Sequence, residues 1–216
     1  MSLAAGIYDA TWGRLFTALY DRGLNASEEA GLRRMRRELL VGAGGRVVEI
    51  GAGTGANLDL YPEGVKELIL VEPDPHMTRR LRAKLAGSGR TATVIEAGAE
   101  RLPLEDAGFD TVVATLVLCT IPDPAAALRE VARVLKPGGR LLFVEHVRAE
   151  DPGLAAWQDR LEKPWRFFGD GCHCNRDTVA TIGASPLTLD QVEHDHLPKA
   201  LPIVRPLVRG SATLAD

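Results

Sequence analysis

Between Gly51 and Gly55 the chain reads Gly-Ala-Gly-Thr-Gly, directly after the β-branched stretch Val47-Val48-Glu49-Ile50. Residues of these types in this order turn a strand sharply and let bare backbone touch a ligand. A helix opening at Ala56-Asn57-Leu58 would aim its first N–H groups at a carboxylate or phosphate. The spacing Gly51-x-Gly53-x-x-Ala56 also fits a dinucleotide fingerprint. Glu49 argues the other way, because a carboxylate in the turn repels a pyrophosphate and attracts an ammonium. S-adenosylmethionine (SAM) carries an ammonium, a carboxylate and a sulfonium, and no phosphate. A second acid, Glu72, ends the next apolar run, Leu68-Ile69-Leu70-Val71, about 20 residues past the glycines, where ribose hydroxyls are gripped. NAD and SAM share that last feature, so these residues leave both open, with the charge of Glu49 on the side of SAM.

Such residues need a scaffold that brings strand ends together. Apolar alternation predicts strands near 46–51, 67–72, 92–97, 109–117 and 140–146, with helices near 55–60, 75–86, 123–135 and 153–163. Pro122-Asp123-Pro124 starts a helix, and Lys136-Pro137-Gly138-Gly139 forms a stop and turn. Strand–helix alternation of this kind predicts an α/β fold, a doubly wound Rossmann-like sheet, mostly parallel, with helices on both faces. After a helix near 176–182, two strand-like runs near 187–196 and 203–213 have no long helix between them. They predict an antiparallel pair at the edge of a seven-stranded sheet. Residues 7–41 read as helical, and their aromatic early part (Tyr8, Trp12, Tyr20) would close over the pocket as a lid. In an open sheet the ligand lies beyond the carboxyl ends of the strands, where strand order reverses. That rule selects Glu49 to Gly53, Glu72-Pro73-Asp74, Gly98-Ala99-Glu100, Thr115 to Cys119, and Glu145-His146.

The bulk numbers narrow the class. A chain of 216 residues, 45% hydrophobic and 25% charged, fits one soluble domain. A net charge of −3 gives no pull toward nucleic acid or acidic membranes. Arg33-Arg34-Met35-Arg36-Arg37 reads as a solvated helix face. Three cysteines, an odd count, suit a reducing cytoplasm rather than a disulfide framework. No apolar run is long enough to span a bilayer, and the N-terminus is unlike a secretory signal. Cys172-His173-Cys174 has the wrong spacing for zinc, and no metal is expected. Trp157, Trp165, Phe167 and Phe168 read as core packing or as an aromatic wall for an apolar ligand.

Five stretches taken together resemble the class I SAM-dependent methyltransferases. They are Val47 to Gly55, Glu72-Pro73-Asp74, Ala99-Glu100-Arg101-Leu102-Pro103, Phe109-Asp110, and Leu135 to Gly139. A narrower resemblance, to the methyltransferase-like thiol S-methyltransferases, rests on Gly55-Ala56-Asn57 with Tyr61-Pro62, Thr115 to Cys119, Glu145-His146-Val147, Trp157-Gln158, Pro164-Trp165, Asp170-Gly171-Cys172 and Val204-Arg205-Pro206. The wider resemblance implies SAM as cofactor and the narrower one a small thiol as methyl acceptor. An oxygen or nitrogen acceptor on a lipid head group, a quinone-like ring or a secondary metabolite, or SAM binding without turnover, are the alternatives. The chain departs from the thiol group in lacking its apolar N-terminal anchor. It also has Gly98 where many class I enzymes place an aspartate for the adenine amino group.

On this reading residues 1–44 are the lid, 45–147 the SAM-binding core and 148–216 the acceptor-side elements. The cofactor residues are Glu49, Gly51, Ala52, Gly53, Thr54, Gly55, Asn57, Glu72, Pro73, Met77, Gly98, Ala99, Glu100, Leu116 and Tyr20. N–H groups of Gly53 to Gly55 meet the carboxylate, Glu49 the ammonium, Glu72 the ribose, and Met77, Ala99 and Leu116 the adenine. Leu116 and Val117 floor the methionine part. Tyr8, Trp12, His146, Trp165 and Cys172 face the acceptor. A thiol of pKa about 8.5 is mostly protonated at neutral pH, and His146 is the first choice of base; the alternative is that it only hydrogen-bonds in the core or shapes the pocket. Glu145 either joins it or holds a backbone N–H.

Overall fold

The computed structural model describes residues 24–215. Tyr8, Trp12 and Tyr20 lie outside the described residues. Seven strands form one sheet in the order β3-β2-β1-β4-β5-β7-β6. They are β1 (Gly45–Ile50), β2 (Val65–Val71), β3 (Thr93–Ile95), β4 (Phe109–Thr115), β5 (Leu135–His146), β6 (Leu187–His196) and β7 (Pro206–Leu214). The first five run parallel, and β7 pairs antiparallel with both β5 and β6. The two last strands thus form the expected antiparallel pair, with β7 slotted inside and β6 outermost. The strand order reverses between β1 and β4, which opens a crevice beyond their carboxyl ends.

Each central strand is buried on both sides, as a parallel sheet covered by helices requires. Val48, Ile50, Val112, Ala114, Leu141 and Phe143 pack toward α3 (Pro124–Val134). Their alternating neighbours Val47, Val113 and Leu142 pack toward Leu40 of α1 (Arg33–Leu40) and Leu81 of α2 (Pro75–Ser88). A π-helical turn, Glu28–Leu32, leads into α1 and is kinked at Gly31, whose φ is 146°. Asp caps start the next helices. Asp74 accepts from His76 and Met77, and Asp123 accepts from Ala126, each just before a proline in the first turn. Asp151 does the same for α4 (Pro152–Phe168), and Asp177 caps α5 (Thr178–Gly183) without a following proline.

Three expectations need correcting. No helix forms at 55–60. Gly55, Leu58 and Leu60 donate to Ala52, Gly55 and Asn57, a chain of tight turns three residues apart, and Pro62 follows at once. The turn at Lys136–Gly139 does not precede β5 but bulges within it. Phe109 pairs with Leu135 and Thr111 with Arg140, so the four residues loop out. The basic cluster is not all solvated, because Arg36 is 3% exposed and Met35 6%. Leu32, Arg36 and Leu40 recur four apart, so one turn of helix puts them on the same buried face.

Candidate active site

Beyond β1 the backbone takes positive φ at Gly51 (61°) and Gly53 (55°). A Cβ on Gly51 would lie 2.0 Å from Val117 Cγ2, whereas one on Gly53 would meet nothing within 4 Å. Gly51 therefore lets the end of β4 close against the loop, and Gly53 offers bare backbone to open space. That space is a cavity of about 540 Å³ bounded by the ends of β1, β2, β4 and β5, the turn at 98–100, and the last turn of α4. Glu72 enters it from β2. Its Oε2 accepts the N–H of Gly53 at 2.8 Å and its Oε1 that of Asp74 at 2.9 Å. Burial raises the pKa of this carboxyl, and the two N–H groups oppose the rise. The carboxylate is held in one orientation with lone pairs left over for a ligand.

Behind this wall lies a network that the sequence did not suggest. Arg36 pairs with Glu28 at 3.0 Å and donates to Asn57 Oδ1 at 3.2 Å and Thr115 Oγ1 at 2.6 Å. Asn57 Nδ2 donates to Glu49 Oε1 at 2.8 Å, and the Tyr61 hydroxyl donates to Glu49 Oε2 at 2.7 Å. Glu49, 2% exposed, is thus turned away from the cavity, and burial pushes its pKa up to about 7. Only Thr115 of this network lines the cavity. Glu49 therefore does not face the cavity as expected, and Asn57 links it to Thr115, which does. The N–H of Gly53 is likewise spent on Glu72 and that of Gly55 on Ala52, so neither is presented to a ligand carboxylate.

The opposite wall is built on Glu145. This fully buried carboxylate accepts the N–H groups of Val117, Leu118 and Cys119 at 3.0, 3.0 and 3.3 Å. It fastens the turn after β4, in which Leu116 is held at a φ of 58°, costly for a leucine. Burial pushes the Glu145 pKa up to about 7. Gln158, also fully buried, fixes α4 against the segments that follow β5 and precede β7. Its Nε2 reaches the carbonyls of Val147, Cys174 and Ile203, and its Oε1 accepts from Ala149 at 2.8 Å. Trp165 and Phe168 line the cavity, and Phe168, like Trp157 and Phe167, is over half exposed.

Of the cofactor residues expected from sequence, Gly51, Gly53, Glu72, Pro73, Met77, Gly98, Ala99, Glu100 and Leu116 line this cavity. His146, Trp165 and Cys172 line it too. Ala52, Thr54, Gly55 and Asn57 do not; they shape the loop from behind. His173 pairs with Glu162 at 2.9 Å, and the Cys174 thiol sits on the carbonyl of Gln158, so the Cys-His-Cys run diverges. His146 is a weaker base in this site than a free imidazole. Burial pushes its pKa down to about 4, and among the described residues its Nδ1 has no hydrogen-bond partner.

Residues 48–143 match the methyltransferase domain family. Thiol S-methyltransferase TMT1B of Rattus norvegicus is 40% identical over 172 residues, which are 77% of this chain and 69% of that protein. The chain belongs to the class I SAM-dependent methyltransferases, in the family of the thiol S-methyltransferases. The phosphatidylethanolamine N-methyltransferase of Cereibacter sphaeroides is 32% identical over 148 residues, 68% of this methyltransferase and 72% of that enzyme. A methyltransferase structure from Bacillus halodurans superposes with a TM-score of 0.71 at 16% identity, covering 85% and 98% of the two chains, and so shares the fold.

SAM is the cofactor of this methyltransferase, and its residues fit that group. The cavity has a pinned carboxylate for a ribose, bare backbone at Gly53, and the apolar side chains of Met77, Ala99 and Leu116 for an adenine. Gly98 adds a detail. A Cβ there would come within 2.9 Å of Glu100 Oε2, so the Glu100 carboxylate already stands where an aspartate at 98 would reach. Among the described residues no helix is long and apolar enough to cross a membrane.

Proposed function

We propose that this methyltransferase methylates small apolar thiols. The observation that carries the reading is the composition of the acceptor wall. Past Leu116 the cavity is bounded by Cys119, Ile121, Pro122, Trp165, Phe168 and Cys172, surfaces suited to an alkyl or aryl group rather than to a polar one. The identity to a thiol S-methyltransferase supports it. The free state of all three cysteines suits the reducing cytoplasm that a thiol substrate also needs.

Bound SAM supplies an electrophilic methyl on a sulfonium. The chain's own task is to hold, orient and exclude water. Glu72 takes the ribose hydroxyls, Glu100 the adenine amino group, and Thr115, backed by the Arg36 guanidinium, the methionine end. The thiol loses its proton without help from His146. Its ionisation is favoured by the positive charges nearby, Arg36 behind Thr115 and Arg176 behind the turn at 118–121. The neutral His146 shapes the pocket.

A second reading, methylation of an amine head group, is favoured by Asp170 on the cavity rim and by the phosphatidylethanolamine N-methyltransferase relative. A panel of alkyl thiols, phenols and ethanolamine lipids with methyl-labelled SAM decides between them. Alkyl thiols should accept most label. A panel in which only the amine or the phenol is labelled rejects the thiol assignment.

A further inference from the structure

Cys172 does not stand alone in the acceptor wall. Its Sγ lies 3.5 Å from Cys119 Sγ, 53 residues earlier in the chain, and both residues line the cavity. Backbone holds the two segments side by side. The His173 N–H donates to the Cys119 carbonyl at 2.9 Å. The Arg176 guanidinium donates to the carbonyls of Leu118 and Ile121, the latter at 2.8 Å. The pair is therefore set in a braced frame, not in a loose loop.

The two thiols differ. Cys119 is 1% exposed, and the neighbouring Cys172 together with burial pushes its pKa well up. Cys172 is 7% exposed; the hydrogen bond it shares with Cys119 draws its pKa down, against the opposing pull of burial and of Glu145. A more accessible thiol in contact with a more deeply buried one is the arrangement of an attacking and a resolving cysteine. Cys174 is unlike both, fully buried, with its pKa pushed up to about 11.

We propose that Cys172 and Cys119 form a thiol–disulfide exchange centre that reduces small apolar disulfides within the acceptor half of the cavity. The Cys172 thiolate attacks one sulfur of RS–SR. The S–S bond breaks, a Cys172–SR bond forms, and the electron pair leaves on RS⁻, which takes up the proton that Cys172 gave to solvent. Cys119 then loses its proton and attacks Cys172 Sγ. The second RS⁻ leaves with that proton, and a Cys119–Cys172 disulfide remains. One disulfide and two protein thiols thus become two RSH and one protein disulfide, with two electrons passed to the substrate. A dithiol, or two monothiols, restores the pair by the same exchange. The thiols would be released at the wall assigned above to the methyl acceptor, but the exchange itself does not depend on methyl transfer.

The test uses the reduced full chain, no SAM, and one equivalent of dithiodipyridine, an aromatic disulfide that releases a coloured thione. Two thiones per chain should appear with no adduct left on the protein, and peptide mapping should find Cys119 joined to Cys172. Cys119→Ser should release one thione and retain the other half on Cys172. Cys172→Ser should react at least about tenfold more slowly, the loss expected when the activated thiolate is removed. Cys174→Ser should match the wild type. A stable mixed disulfide on the wild type, a joined pair other than Cys119 with Cys172, or an undiminished rate in Cys172→Ser overturns the proposal. The mapping needs no variant to fold, and a failed methyl-acceptor panel leaves the thione count untouched.

Discussion

The donor and acceptor halves of the cavity are built by different means. In the donor half, hydrogen bonds join neighbours on adjacent strand ends: Glu72 holds Gly53 and Asp74, and Asp74 caps the helix carrying Met77. In the acceptor half, Glu145 fastens a turn 26 to 28 residues away, and Gln158 ties α4 to carbonyls as distant as that of Ile203. The core of the first half, the glycine loop with Glu72 and Asp74, is a short stretch of chain folded on itself, with Thr115 and Arg36 brought in from afar. The second is a joint between distant segments, held by two buried polar side chains. A fixed cofactor is suited to the first construction, and acceptors that differ between relatives are suited to the second, where α4 and the turn can change without moving β1 and β2.

Removing the anchor of each half tests that contrast most severely. Glu72→Ala should weaken SAM binding by about 2–3 kcal/mol, as loss of charge-assisted hydrogen bonds predicts, and should also free the Gly53 N–H. Unchanged affinity by calorimetry would remove Glu72 from the site. Gln158→Leu should cost about 2 kcal/mol of folding stability, because one N–H and several carbonyls lose their partner in the interior. SAM affinity should hold while thiol turnover falls. Equal losses of both would show that the halves are not separable.

A subtler break concerns His146. Its pKa is about 4 in the fold and about 6.5 when unfolded, so between these values the unfolded chain binds the extra proton. Its contribution to stability is therefore present above the unfolded pKa and is lost as pH falls toward the folded pKa. The stability of wild type minus that of His146→Gln should rise by about 2.5 kcal/mol from pH 4 to 6.5. Glu49 and Glu145, whose pKa values burial raises to about 7, act in the opposite sense and cancel in the difference. Denaturant titrations showing a pH-independent difference would mean that the imidazole titrates freely. Turnover of the variant should not recover at high pH, in contrast to the loss of a base. The smallest effect is expected at the adenine edge. Glu100→Ala should weaken SAM binding by about 1 kcal/mol, one hydrogen bond's worth, and no change would leave the adenine to the backbone.

The donor half was legible because its parts are consecutive. Gly51 to Gly55 and Glu72 to Asp74 are motifs whose residues act where they stand, and strand ends follow from the alternation of apolar residues. Arg36 was within reach of the same reasoning, since Leu32 and Leu40 flank it at helical spacing, but four arginines in five residues read as a solvated face. Glu49 was placed on the right loop and turned the wrong way, because only Asn57 and Tyr61, folded back over it, fix its direction.

What the amino-acid order determined by itself is the strand–helix alternation of the sheet and the glycine loop with its acid, since hydrophobic period and backbone freedom are local properties. The tertiary structure alone decided which side of that loop Glu49 faces, that burial keeps His146 neutral, and that Cys119 meets Cys172. Those outcomes depend on desolvation and on contacts between residues far apart in the chain, and neither is encoded at any one position.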